Sequence, residues 1–131
     1  MTALEEMYNK AIYENVDLVI CDYYKEFENG ELEHIKIIPH YDKSNQKCSV
    51  ISMPGPVCKL IKRNIFEKYD IRFLENHCFE DNAIMPFLCA LIKKFSYIEK
   101  PFYHYLQREG SALNKNTYDP RWEDIFDSLE H

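Results

Sequence analysis

Phe79-Glu80-Asp81-Asn82 stands at the head of the strongest periodic pattern in the chain. Behind it, Ile84, Phe87, Leu88, Leu91, Ile92 and Phe95 recur at helical spacing and define one apolar stripe. A helix from this point to about Lys94 needs a sheet or a second helix to cover that stripe. Acids at a helix start face the positive end of the backbone dipole, which favours their ionised form. Such a carboxylate can cap the helix, hold a cation, or take a proton from a bound hydroxyl. The third role is the one favoured here for the Glu80-Asp81 pair. Pro86, one turn in, lacks the amide hydrogen a regular helix needs and is expected to loosen or kink the first turn.

The upstream pattern alternates helix and strand. Thr2-Ala3-Leu4-Glu5 has capping-box spacing, and Leu4, Met7, Tyr8, Ala11 and Ile12 then share one face, predicting a helix over about 3–14. Asn15 closes it. Residues 17–24 read as a buried strand that leaves the core at Asp22. Asn29-Gly30 signals a hairpin, with Ile35 to Ile38 as the return strand, stopped by Pro39. Residues 40–49 read as a loop or part of a lid.

Met53-Pro54-Gly55-Pro56 forbids regular structure, gives a rigid approach to Lys59, and hands over to a helix expected from about Val57 to Tyr69. Residues 70–77 form an extended connection, with Ile71 and Phe73 on one side. Downstream of the acidic pair, residues 95–98 and 102–106 read as two short aromatic strands parted by Lys100-Pro101, forming an aromatic hairpin. Gln107 to Ser111 is a polar loop, and Asp119-Pro120 starts a last helix through about Ser128. The expected fold class is therefore α/β, helices packed on a small mixed sheet, in one domain over residues 1–128. Leu129-Glu130-His131 reads as a tag remnant.

Composition narrows the function classes. The apolar fraction of 46% and aromatic share of 15% support a packed core rather than disorder. A net charge of −6, without a dense basic cluster, argues against nucleic acid as a partner. Lys62-Arg63 and Lys93-Lys94 are explained as solvated faces. No apolar run reaches the roughly 20 residues of a transmembrane helix. The acidic N-terminus is unlike a signal peptide. Five irregularly spaced cysteines, with no C-x-x-C, fit reduced, buried thiols in a cytoplasmic protein. His77-Cys78 has no second pair at zinc spacing, no G-x-S-x-G elbow occurs, and three scattered glycines exclude a phosphate-binding glycine loop.

The order of residues 17–24, then Lys59-Leu60-Ile61-Lys62-Arg63, Ile71-Arg72-Phe73, Phe79-Glu80-Asp81, and Tyr103-x-Tyr105 with Arg108-Glu109-Gly110-Ser111 resembles the family-2 glycosyltransferases of the GT-A fold. The likeness runs to about residue 114 and is nearest to bacterial enzymes of surface-polysaccharide synthesis. The resemblance implies that Asp81 is the catalytic base, with Glu80 orienting it or the acceptor. It also implies that Arg108 and Ser111 belong to a mobile loop contacting the donor diphosphate, and that Lys59 lies on the acceptor side. His104 falls near a position where some relatives supply a metal ligand; no other residue is a metal candidate.

Relatives bind a nucleotide-sugar donor and a divalent metal, Mg or Mn, in an N-terminal half ending in D-x-D, and transfer the sugar to a glycan or lipid-linked acceptor. No D-x-D occurs here, and the first helix looks like the one just after that motif, so no metal is expected in these residues. Val57-Cys58 replaces the Trp-Asn that commonly precedes the Lys-Leu pair. The expectation is an acceptor-side, base-bearing half, silent by itself, whose parent is cytoplasmic or at the inner face of the membrane. The competing class is a non-catalytic interaction module. Loss of the donor half is expected to uncover a sheet edge at Leu18 to Ile20 and part of the first helix's apolar face, giving weak self-association.

Overall fold

The structure, a computed structural model, describes residues 1–37, 55–109 and 120–124. Its first element is helix α1, Ala3–Glu14. The capping box forms as the spacing predicts: Thr2 Oγ1 accepts from the Glu5 amide, and the Glu5 carboxylate accepts from the Thr2 amide. Asn15, in the left-handed region at φ 50°, ends the helix and returns its amide to the last turn. Met7 is the fully buried position of α1, which packs on strands β1 and β4.

Strand β1, Leu18–Phe27, is the axis of a four-stranded mixed sheet. β2 (Leu32–Ile35) and β3 (Lys59–Ile61) both pair antiparallel with it, β2 along its C-terminal half and β3 along Leu18 to Ile20. β4, Phe95–Gln107, pairs parallel along its whole length. The Asn29-Gly30 turn joins β1 to β2, with Gly30 at φ +85°, a conformation glycine adopts without steric cost. Leu18 to Ile20 is therefore no sheet edge. It is flanked by β3 and β4 and almost completely buried, which corrects the expected truncation surface.

Three further expectations change. The helix foreseen over 57–69 divides into β3 and a short helix α2, Arg63–Lys68. Leu60 and Ile61 suit a helical stripe, but Cys58 at φ 61° breaks a helix there, and the open backbone of β1 supplies better partners. The return strand β2 ends at Ile35; Pro39 and the 40–49 segment lie outside the described residues. The two aromatic strands are one strand, so there is no aromatic hairpin. Pro101 sits where the register shifts between Cys21 and Tyr23, and a bulge on an outer strand spares the missing amide.

Helix α3, Glu80–Leu91, carries the acidic pair in its first turn and continues through Pro86, which is exposed. Ile84, Met85, Leu88 and Cys89 of α3, with Ile92, enter one core with Leu18, Val19, Ile20, Cys21, Ile65 and Ile71. Phe87 does not join them and stays half-exposed against Tyr69. Asp17 ties elements together: its carboxylate accepts from the Lys93 amide at 3.2 Å and lies 3.7 Å from the Lys62 ammonium. Pro120–Glu123 is a 3₁₀ turn, and Asp124 next to it accepts from the Cys78 amide; the rest of the expected last helix lies outside the described residues. No helix among the described residues is long and apolar enough to cross a membrane.

Candidate functional site

The acidic pair does not cap α3 from outside. Phe79 is the N-cap, at φ 62°, and no side chain caps the helix. Glu80 and Asp81 are its first two residues, where the helix dipole favours a carboxylate. Both are half-buried, and among the described residues neither is held by a hydrogen bond or an ion pair. Asp81 leans toward the segment before β3: a methyl group built on Gly55 would lie 3.7 Å from Asp81 Oδ2.

Lys59, at the start of β3, completes this arrangement. Its ammonium donates to the Gly55 carbonyl. Burial lowers the Lys59 pKa below the ordinary lysine value, opposed by the Cys89, Cys58 and Cys21 thiols and by the Asp81 carboxylate. Asp81, distant in sequence from Gly55 and Lys59, thus meets them where α3 comes up to the β1–β3 pair. A cation, a carboxylate and a backbone carbonyl in one place can bind a hydroxyl-bearing ligand and accept its proton.

The other predicted residues do not join them in any contact among the described residues. Arg108 is exposed just past the end of β4, and Ser111 lies outside the described residues. His104 is on β4, where Nδ1 is 2.9 Å from Glu26 Oε2 and the ring meets Tyr24 edge-on. No group of three His, Cys, Asp or Glu side chains among the described residues could hold a metal ion.

A polar cluster that sequence reasoning missed lies further along β1. Asp22, expected to leave the core, is completely buried. Its Oδ1 accepts from the Tyr97 hydroxyl at 2.6 Å and the Ile37 amide at 3.0 Å, and His34 Nε2 is 2.8 Å from Oδ2. Burial first, then the hydrogen bond to Asp22 and the Asp22 charge, push the Tyr97 phenol above the ordinary tyrosine value. The alternation of β1 puts Asp22 on the Ile20 face, the only signal that could have revealed its burial. On the opposite face Tyr23, Tyr103 and Tyr105 form an aromatic patch, with Tyr103 stacked on Tyr105 and Tyr23 meeting Tyr105 edge-on.

No protein-family model matches this chain, and no curated protein matches it.

Proposed function

We propose that this chain is the acceptor-binding, base-bearing half of an inverting glycosyltransferase, the donor nucleotide sugar and its divalent cation being held by residues beyond these 131. The observation that carries the reading is the Asp81 carboxylate, mounted in the first turn of α3 without a hydrogen-bond or ion-pair partner among the described residues and set beside Gly55 and Lys59. Asp81 takes the proton of an acceptor hydroxyl while that oxygen bonds to the anomeric carbon. The bond from that carbon to the nucleotide diphosphate breaks on the opposite face, and configuration inverts. Glu80 orients the acceptor or its base, Lys59 lines the acceptor side, and Arg108 and Ser111 approach the departing diphosphate. The parent acts in the cytoplasm, at the inner face of the membrane, on a glycan or lipid-linked acceptor of surface-polysaccharide synthesis.

General-base catalysis contributes about 10²–10⁴-fold. In the parent enzyme, Asp81→Asn is expected to lower kcat by about 10²-fold or more while donor affinity stays unchanged. Transfer at the wild-type rate would remove Asp81 from the base role. A second reading, a non-catalytic interaction module, is favoured by one observation: Leu4, Tyr8 and Ile12 of α1 are 68%, 60% and 64% exposed.

A further inference from the structure

Cys21 and Cys58 are distant in sequence and neighbours in space. Extending the β1–β3 register by one residue sets them directly opposite each other, and the Cys21 amide donates to the Cys58 carbonyl at 2.9 Å. Opposed residues of an antiparallel hydrogen-bonded pair have Cα atoms roughly 5.5 Å apart, inside the range a disulfide spans. Each thiol influences the other's ionisation more than any other group around it does. Cys58 lies outside the regular strand at φ 61°, just before Lys59, and is slightly more open to solvent than Cys21. Cys89 is also buried near Lys59 but belongs to α3, and Cys78 lies before that helix.

We propose that Cys21 and Cys58 are a redox pair, which a two-electron oxidant of the peroxide class converts into a disulfide bridging β1 and β3. One sulfur attacks the oxidant and the other resolves it. The charge of Lys59 favours a thiolate in the pair, and burial and the Asp22 charge oppose it. The attacking thiolate takes one oxygen of hydrogen peroxide, giving a sulfenic acid and hydroxide, which a proton converts to water. The second sulfur then bonds to the first, the sulfenic S–O bond breaks, and the second thiol's proton leaves with that oxygen as a second water. Two thiols are oxidised, one peroxide is reduced, and two waters form. The bridge anchors the residue before Lys59 to β1, so oxidation acts on the segment carrying Gly55 and Lys59. The pairing itself does not depend on the transferase reading.

The test uses the intact 131-residue chain, treated with hydrogen peroxide and then alkylated under denaturing conditions. The free-thiol titre should fall from five to three, and peptide mapping should recover Cys21 linked to Cys58. A reducing agent should restore all five thiols. Cys58→Ser should abolish the linkage and Cys89→Ser should leave it intact, with circular dichroism checking the fold of each. Mapping the unsubstituted chain decides the pairing even if a variant fails to fold. Five alkylated thiols after oxidation, or a bridge between any other two cysteines, would overturn it.

Discussion

At the scale of single residues, Asp22 is the costliest side chain to disturb. Its fully buried carboxylate is matched to the Ile37 amide, the Tyr97 hydroxyl and His34, and no buried side-chain nitrogen or oxygen among the described residues lacks a partner. Asp22→Ala leaves the Ile37 amide and the Tyr97 hydroxyl without their acceptor, and should cost about 3 kcal/mol in urea unfolding. A loss under about 1 kcal/mol would mean that water replaces the carboxylate readily. The same cluster makes a pH prediction. The Tyr97 pKa is raised in the folded state, so its contribution is intact below the unfolded value near 10 and is lost as pH climbs above it. Urea midpoints should decline above pH 10, and Tyr97→Phe should flatten that decline.

At the scale of elements, local chemistry and long-range pairing decide different things. α1 is specified by its own ends, a capping box and a left-handed asparagine. Thr2→Ala should therefore cost about 1 kcal/mol, read as a lower thermal midpoint. The 57–69 stretch has no such cap: Lys62, the residue before α2, makes no side-chain capping bond, and β1 draws Lys59 to Ile61 into the sheet instead. Pro101 reads as a break in sequence, yet β4 runs through it because the bulge opposite Asp22 absorbs the missing donor. α3 likewise runs through Pro86, with Ile84, Met85, Leu88 and Cys89 buried on both sides of the proline.

At the scale of the whole molecule, the sheet is enclosed where it matters but α1 is covered on one side only. Leu4, Tyr8 and Ile12 face away from the core, and Tyr8 and Ile12 line a cavity with Leu60 and Ile61. Burial of that face between two copies predicts a weight-average mass that rises with concentration in sedimentation, and Ile12→Glu should suppress the rise. A mass independent of concentration would count against self-association. The sequence by itself determined α1, the Asn29-Gly30 hairpin, the acidic start of α3 and the mixed α/β class, because caps, turns and apolar periodicity act over a few residues. Only the tertiary structure decided that Leu18 to Ile20 is the centre of the sheet, that Asp22 is buried, and that Gly55, Lys59, Asp81, Cys21 and Cys58 come together. Those outcomes turn on which strand pairs with which, a choice made by burial across long stretches of chain that no local pattern encodes.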